Sequence, residues 1–295
     1  MISGIIRTAR PKQWLKNVLV FAAPGAAGVL DQGRPLAVTL ITFVSFCLAS
    51  AGVYFFNDLI DVDADRKHPK KRLRPIAAGD VPLNVARAAT AALSCAALGV
   101  AALTGRWQTV AIVALYLIVN IAYNVGLKRI PVVDLVAVAS GFVLRAAAGA
   151  VAVDVPMSRW FVLCITFGSL FIVVGKRYAE LNEMGPGSGT RATLDEYSVG
   201  YLRILLSVSC GAALLSYCVW AFETSEASAD TSGSPFNFPF YELSIVPMLT
   251  ALFRYLLVLE QGGGGAPEEV FAKDRVLQVL GLTWIIIYGV AVYTA

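Results

Sequence analysis

The sequence predicts an all-α membrane protein with nine transmembrane helices, and three observations lead to this fold class. Of the 295 residues, 57% are hydrophobic and 15% are charged, which is too apolar for a soluble domain of this length. Nine windows have the length and polarity needed to cross a hydrocarbon core of about 30 Å. The long alternating pattern of membrane β-strands is absent from the sequence, so each span is expected to satisfy its backbone hydrogen bonds as a helix.

The predicted spans follow one another along a single polytopic domain, residues 1–295. They cover roughly 15–30, 36–56, 83–104, 109–127, 132–153, 159–175, 202–222, 241–259 and 276–294. No signal peptide is expected, because basic residues precede a long first apolar run that has no small-residue cleavage pattern. The connections at about 57–82, 176–201 and 260–275 are predicted to be cap loops on one face. Glycine-rich runs at 185–189 and 262–265 are predicted to be flexible joints within them.

The basic residues orient these spans and account for the net charge of +4 without nucleic acid as a partner. If the N-terminus is cytoplasmic, most of the 24 Lys and Arg residues fall in cytoplasmic segments. We therefore predict a multi-pass protein of the plasma (cell inner) membrane, with its C-terminus outside and its cap loops in the cytoplasm. The five cysteines fall in apolar windows without metal-ligand spacing and are interpreted as small hydrophobic residues.

The stretch after the second span concentrates the chemistry. If that helix continues through Asp65, then Asn57, Asp58, Asp61 and Asp65 share one face at 100° per residue, whereas Asp63 faces elsewhere. Carboxylate and amide oxygens are the ligands that Mg²⁺ prefers. These four residues are the predicted metal ligands, and the three aspartates among them are the predicted catalytic residues.

Basic residues follow the aspartates at once and are predicted to bind phosphate oxygens. A row of carboxylates repels a phosphate unless a metal lies between them, so acids beside bases indicate a Mg²⁺-bound diphosphate. The basic residues are Lys67, Lys70, Lys71, Arg72 and Arg74. The alternative is a solvated loop whose acids offset a positive-inside cluster.

The segment NDLIDVDAD, residues 57–65, resembles the first aspartate-rich motif of the UbiA superfamily of intramembrane prenyltransferases. The resemblance implies nine helices around a central cavity open to cytoplasm and lipid, and a need for Mg²⁺. Typical members carry a second aspartate-rich motif after helix six, but Lys176 and Arg177 stand at that place here. This exchange, together with the segments ARPKQWLKN, RLRPIAAG and LRAAAGAVA, resembles one branch of the superfamily in which a lipid phosphate is the acceptor.

In that branch the donor is 5-phosphoribosyl diphosphate and the acceptor is a polyprenyl phosphate such as decaprenyl phosphate. The resemblance therefore implies phosphoribosyl transfer with release of diphosphate, towards the lipid-linked arabinose donor of cell-wall arabinan. The donor phosphates are assigned to Lys16, Tyr54, Lys67, Lys70, Lys71 and Arg74. The acceptor phosphate is assigned to Arg145, Lys176, Arg177 and Arg203. Membrane lipid surrounds the protein, and its apolar surface leaves room for a homo-oligomer.

Several interpretations stay open at this point. Lys176 and Arg177 could instead anchor a helix end, and Arg145, deep in the fifth span, could face either the cavity or a buried partner. One rival function is an aromatic or quinone prenyltransferase, for which Asp195 and Glu196 would be a remnant of the second acidic cluster. The other rival is a transporter of a phosphorylated solute, although transporters place binding residues near the midplane.

Overall fold

The computed structural model describes residues 1–184, 193–232, 238–263 and 267–294, and over these residues the chain is helical and contains no β-strand. The α-helices are α1 (Ile2–Ala9), α2 (Ala22–Ala26), α3 (Gly33–Ile60), α4 (Val62–Lys67), α5 (Pro75–Ala78), α6 (Leu83–Ala102), α7 (Trp107–Val125), α8 (Val133–Val153), α9 (Arg159–Met184), α10 (Val199–Ser232), α11 (Phe240–Leu243), α12 (Ile245–Glu260), α13 (Pro267–Lys273) and α14 (Arg275–Thr294). Four 3₁₀ helices cover Pro11–Phe21, Lys71–Leu73, Leu127–Arg129 and Leu194–Glu196.

Eight helical stretches in the described part of the chain are long and apolar enough to cross a membrane, so the protein is a multi-pass membrane protein. They are Gly33–Ile60, Leu83–Ala102, Trp107–Val125, Val133–Val153, Arg159–Glu183, Val199–Ser228, Phe240–Glu260 and Arg275–Tyr293. Each coincides with one of the predicted spans from the second to the ninth. The all-α membrane class is confirmed.

The first predicted span differs from the other eight. Window 15–30 does not form one long helix but is shared between the 3₁₀ helix Pro11–Phe21 and α2. Pro24 and Gly25 lie inside the window, and proline removes a backbone donor that an uninterrupted α-helix needs. The nine predicted spans therefore correspond to eight long helices and one segment of two short helices.

The chain forms two compact units, each with its own core. The first unit contains Met1–Lys128 and Ser140–Pro156. Its core combines small and large residues of the 3₁₀ helix, α3, α6, α7 and α8, which are Val20, Phe46, Ala49, Val53, Ala97, Ala101, Val113, Tyr116, Leu117 and Ala148. Small residues let helices approach closely. At Gly52 of α3, for example, an added Cβ would lie 3.1 Å from Oγ of Ser94 in α6.

The second unit contains Arg129–Ala139 and Met157–Ala295. In it α9 packs against α10, and α12 packs against α14. Gly175 of α9 allows close contact with α12, since an added Cβ would lie 3.0 Å from Leu259 and 3.4 Å from the ring of Tyr255. The rings of Phe171 and Tyr255 meet edge to face with centroids 5.6 Å apart.

The connection 57–82 in the first unit is largely structured. It holds α4, a 3₁₀ turn and α5, and Ile76 and Val81 bury their side chains against Phe55 of α3. Helix α5 ends at Ala78 and is followed by Gly79, whose φ of +86° suits glycine. Of the other predicted cap segments, 176–184 belongs to α9 and 267–273 forms α13. The predicted joint 185–189 lies outside the described residues, as do 264 and 265 of the second joint.

Candidate active site

The acidic stretch forms an almost continuous helical path from α3 into α4. Helix α3 ends at Ile60, and Asp61, with φ −88° and ψ 3°, joins it to α4. Hydrogen bonds from Asp61 N–H to Asn57 O (3.0 Å) and from Asp65 N–H to Asp61 O (2.8 Å) keep the four-residue helical spacing across this junction. The predicted alignment of the four ligand candidates along one face is therefore supported by the backbone, with a break of one residue.

Burial separates the aspartates as the helical face predicts. The side chains of Asp58 and Asp65 are 2% and 4% exposed, and that of Asp61 is 30% exposed. Asp63, by contrast, is 86% exposed and pairs with Arg66 on the next turn. Burial raises the pKa of Asp65 above its ordinary value, while the guanidinium of Arg74 acts in the opposite direction.

Arg74 bridges the two buried carboxylates. Its Nη1 donates to Oδ2 of Asp65 at 2.7 Å and to Oδ1 of Asp58 at 3.2 Å. Both carboxylates therefore contact the same guanidinium group, which Arg74 supplies from the far end of the loop. Arg74 therefore makes the predicted contact between the basic residues and the aspartates.

Arg10, which the sequence reasoning did not select, is a second partner of Asp58. Its Nη2 donates to Asp58 Oδ1 at 2.6 Å, and its guanidinium lies 4.8 Å from the ring centroid of Tyr54. Arg10 has a φ of 50°, the left-handed region that non-glycine residues rarely adopt. Its position in the segment ARPKQWLKN was a signal, but nothing local showed that it faces the aspartates.

Lys128 is a further counter-ion, since its Nζ donates to Asp61 Oδ1 at 2.7 Å. Lys128 is not among the predicted site residues. Lys128 lies in the 3₁₀ turn Leu127–Arg129 that follows α7, so its pairing with Asp61 depends on a long-range packing of α7 and α3. Each of the three predicted catalytic aspartates therefore has a basic partner.

The remaining predicted donor ligands differ in their exposure. Lys67 and Lys70 are exposed, whereas Lys16, Tyr54 and Lys71 are half-buried. His68 organises the turn that carries the lysines, because its Nδ1 accepts hydrogen bonds from the backbone N–H groups of Lys70 and Lys71, both at 3.2 Å. The turn is therefore held by a side chain for which no chemistry was predicted.

The chemistry of the acidic residues fits a hard divalent cation. Three carboxylates and the amide of Asn57 offer oxygen ligands, and Arg74 shows that two of the carboxylates already face a single positive group. Within residues 1–184, 193–232, 238–263 and 267–294, no three Asp, Glu, His or Cys side chains form a cluster that could hold a metal by themselves. Oxygens from substrate or water would therefore complete the coordination, as is usual for Mg²⁺.

Arg145 lies in a separate buried polar cluster of the first unit. Its Nε donates to Asn17 Oδ1 at 2.7 Å, its Nη1 to Gly141 O at 2.6 Å and its Nη2 to Tyr116 OH at 3.0 Å. The residue is 7% exposed. Asp134 lies 11 residues earlier on α8, about three turns away. The contacts of Arg145 are accordingly with these neutral groups and not with Asp134.

Asp134, in the second unit, pairs instead with Arg177. Arg177 Nε lies 3.4 Å from Asp134 Oδ2 and Nη1 lies 3.0 Å from Glu180 Oε2, and the side chain of Arg177 is 3% exposed. Arg203 is 58% exposed and contacts Glu260 and the hydroxyl of Tyr178. Of the predicted acceptor ligands in this unit, Arg177 is thus buried among acids, while Lys176 is half-buried and Arg203 is exposed.

Tyr197 completes the network around Asp134. Its hydroxyl donates to Asp134 Oδ1 at 2.6 Å and accepts from the N–H of Val132 at 2.6 Å. Burial and the hydrogen bond to Asp134 raise the pKa of Tyr197. Val132 has a φ of 68°, which is unusual for a β-branched residue, so this hydrogen bond stabilises a strained turn.

Tyr197→Phe is expected to destabilise the protein by about 1–3 kcal/mol, because the part-buried N–H of Val132 and the buried carboxylate of Asp134 each lose a partner. The measurement is thermal unfolding in detergent. Tyr201→Phe is the matched control, since Tyr201 stacks on Tyr197 with centroids 6.0 Å apart and is 39% exposed. A Tyr197→Phe protein that is as stable as the wild type would show that the hydroxyl of Tyr197 contributes nothing.

The fold and the acidic cluster together define a class: a polytopic helical membrane protein with an aspartate-rich helix end that is neutralised by basic side chains. Residues 18–180 match the model of the UbiA prenyltransferase family. The chain belongs to the UbiA prenyltransferase family, as the aspartate-rich motif predicted.

Relatives that cover almost the whole chain carry one name. Decaprenyl-phosphate phosphoribosyltransferase from Corynebacterium glutamicum is 42% identical over 99% of this chain and 88% of that protein. The protein of the same name from Mycolicibacterium smegmatis is also 42% identical, over 99% of this chain and 93% of that protein. These similar proteins lie in the branch of the family that the sequence motifs resemble.

Solved structures show the same fold at low sequence identity. A UbiA homologue from Archaeoglobus fulgidus bound to GPP and Mg²⁺ has a TM-score of 0.72 and 16% identity, covering 99% of this chain and 100% of that chain. The apo structure of a UbiA homologue from Aeropyrum pernix K1 has a TM-score of 0.56 and 18% identity, covering 94% and 98%. The predicted UbiA-type helical fold is confirmed.

Proposed function

We propose that the protein transfers the 5-phosphoribosyl group from 5-phosphoribosyl diphosphate to a polyprenyl phosphate, with decaprenyl phosphate as the acceptor, and releases diphosphate. The observation that carries this proposal is the 42% identity, over 99% of the chain, to relatives named decaprenyl-phosphate phosphoribosyltransferase. The reaction belongs to the route towards the lipid-linked arabinose donor of cell-wall arabinan. The exchange of the second acidic motif for Lys176 and Arg177 favours this function over prenyl transfer to an aromatic acceptor.

The donor diphosphate is assigned to the first unit. Asn57, Asp58, Asp61 and Asp65 are the residues that would hold Mg²⁺. The ion, when bound, supplies positive charge to the departing diphosphate. Three basic side chains already stand beside the carboxylates, at 2.6 to 3.2 Å, and can turn their N–H groups to phosphate oxygens. These are Arg10, Arg74 and Lys128, and the half-buried Lys16 and Lys71 and the exposed Lys67 and Lys70 extend the positive rim.

The chemical step needs no general base. The acceptor phosphate is an anion at neutral pH, so one of its oxygens forms the bond to C1 of the ribose while the bond from C1 to the diphosphate oxygen breaks. The negative charge passes to the leaving diphosphate, where the basic side chains stabilise it. Attack from the face opposite the leaving group inverts the configuration at C1.

The acceptor phosphate is assigned to basic side chains that can still turn towards it. Arg203 is exposed, and its partner Glu260 is 47% exposed, so their ion pair is readily exchanged for a phosphate. Lys176 is the first residue of the basic pair that stands where typical family members have the second aspartate-rich motif, and it is half-buried. Arg177 is enclosed by Asp134 and Glu180, which favours a supporting role beside Lys176.

The test uses purified protein with Mg²⁺, ribose-labelled 5-phosphoribosyl diphosphate and decaprenyl phosphate. The expected result is label that moves into the organic phase and depends on all three additions. A parallel reaction offers a labelled polyprenyl diphosphate and an aromatic acid, and product in that reaction alone would replace the proposal with aromatic prenyl transfer. Uptake of labelled phosphorylated solute into vesicles without chemical change would indicate a transporter.

We also place the N-terminus and the donor site on the cytoplasmic side of the plasma membrane. The support is the distribution of basic residues, which follows the positive-inside rule. Alkaline phosphatase fused after residue 105 should therefore be active, since that connection is expected outside, and the enzyme fused after residue 70 should be inactive. The opposite pattern of activities would reverse the topology.

A further inference from the structure

Arg145 carries a buried charge whose hydrogen-bond partners are all neutral. Three nitrogens of the guanidinium donate to an amide oxygen, a backbone carbonyl and a phenol hydroxyl, those of Asn17, Gly141 and Tyr116. The guanidinium also lies 4.7 Å from the ring centroid of Tyr116, 5.6 Å from that of Phe46 and 5.8 Å from that of Phe142. Ring faces stabilise a desolvated cation, so the guanidinium is held in place from several sides.

Asn17 joins Arg145 to another helix. The side chain of Asn17 is fully buried, and its Nδ2 donates to Cys47 Sγ at 3.2 Å and to Ser50 Oγ at 3.3 Å, both on α3. Asn17 itself belongs to the 3₁₀ helix Pro11–Phe21. A single amide therefore connects the 3₁₀ helix to α3 and, through Arg145, to α8.

A second contact fixes the same 3₁₀ helix to α8. With three residues per turn, Val20 lies directly one turn beyond Asn17 on the same side. The backbone of Val20 presses on Gly149, where an added Cβ would lie 1.8 Å from Val20 O. Arg145 and Gly149 are four residues apart, so two successive turns of α8 contact two successive turns of the 3₁₀ helix.

The other end of the 3₁₀ helix presents Arg10 to Asp58. Arg10 precedes Pro11, the first residue of the 3₁₀ helix, and lies about 14 Å from Asn17 at about 2.0 Å per residue. Its backbone lies in the left-handed region, and its guanidinium reaches Asp58 at 2.6 Å. The placement of Arg10 therefore depends on where the 3₁₀ helix is fixed.

We propose that Arg145 is a positioning residue for the donor site rather than a ligand of the acceptor phosphate: through Asn17 it fixes the 3₁₀ helix Pro11–Phe21 and so holds Arg10 against Asp58. This inference rests on the proposed function, because the donor site is assigned there. It changes the expected phenotype of Arg145 variants from loss of acceptor binding to loss of donor binding.

The kinetic test compares Arg145→Met with Gly149→Ala. The second substitution leaves every charge in place and disturbs the contact between Gly149 of α8 and Val20 of the 3₁₀ helix. Both variants should raise the KM for 5-phosphoribosyl diphosphate about tenfold, with little change in kcat or in the KM for the polyprenyl phosphate. Asn17→Ala should act like Arg145→Met, and the double variant should be no worse than the poorer single variant. A selective rise in the KM for the polyprenyl phosphate in Arg145→Met would overturn the proposal.

A second measurement does not depend on turnover. Hydrogen–deuterium exchange of residues 11–21 in the ligand-free protein should be faster in Arg145→Met and Gly149→Ala than in the wild type. Unchanged exchange in both variants would overturn the positioning role. If the wild type makes no phosphoribosyl lipid but the exchange rates rise as expected, the proposed function fails while the structural link stands. Arg145→Lys and Gly149→Ala keep the exchange test informative if Arg145→Met does not fold.

Discussion

Asp61→Asn should lower phosphoribosyl transfer by about 1,000-fold while the protein remains folded in the membrane. The substitution keeps the size of the side chain but removes a carboxylate that faces Lys128 at 2.7 Å and is one of the four oxygen ligands proposed for Mg²⁺. Loss of one preorganised electrostatic contact to developing charge costs about 100- to 1,000-fold in rate. Because asparagine is almost the same size as aspartate, the change leaves no cavity. The measurement is the initial rate of label transfer at saturating substrates over a range of Mg²⁺ concentrations.

Asp63→Asn is the matched control. It removes the same charge two residues away, from a side chain that is 86% exposed and pairs with the neighbouring Arg66. Its activity should stay within about twofold of the wild type, because exposed ion pairs contribute little. A comparable loss in the two variants would attribute the effect to net charge rather than to a binding site. An Asp61→Asn protein with wild-type activity would remove Asp61 from the proposed metal site.

The acidic half of the site could be predicted from sequence because it is local. Asp58, Asp61 and Asp65 lie on consecutive turns, so a helical period of 3.6 residues was enough to separate them from Asp63. The structure keeps this spacing even though α3 ends at Ile60. The helical fold was predictable for a similar reason, since span length and polarity are imposed by the bilayer itself.

The basic half was only partly predictable because its contacts are long-range. Arg74 follows Asp65 closely and was selected, whereas Arg10 and Lys128 lie 48 and 67 residues from the aspartates that they contact. Their positions depend on how the 3₁₀ helix and α7 pack against α3, and no periodicity encodes this packing. The same limit applies to Arg145, whose contact with Asn17 spans 128 residues.

Two arginines that sequence position grouped with phosphate ligands are buried against groups of the protein itself. Arg145 and Arg177 both lie in apolar stretches, where a charge signals either a ligand site or an internal partner. The structure supplies an internal partner in each case: neutral groups and aromatic rings for Arg145, and Asp134 with Glu180 for Arg177. Sequence alone could not distinguish these outcomes, because both place the same residue type at the same depth.

Mg²⁺ and the diphosphate should bind cooperatively, each raising the affinity of the other by about 100-fold. In the structure every proposed carboxylate ligand is paired with a basic side chain, either Arg10, Arg74 or Lys128. Binding of the metal alone would leave these half-buried cations without acceptors, which is costly. When the diphosphate is present, the same cations gain phosphate oxygens as they leave the carboxylates. Coupling of 5- to 150-fold is typical for linked sites, and linkage makes it reciprocal.

The measurement is the dissociation constant of Mg²⁺ with and without methylene diphosphonate, a diphosphate that cannot react, compared at equal free Mg²⁺ so that chelation in solution does not mimic coupling. Arg10→Gln provides the internal check. Removing this partner of Asp58 should tighten binding of Mg²⁺ alone and weaken binding of the diphosphonate, so the coupling factor should fall. An affinity for Mg²⁺ that is the same with and without the diphosphonate would mean that the basic side chains do not exchange carboxylates for phosphates. The observed pairing would then be a purely structural charge balance.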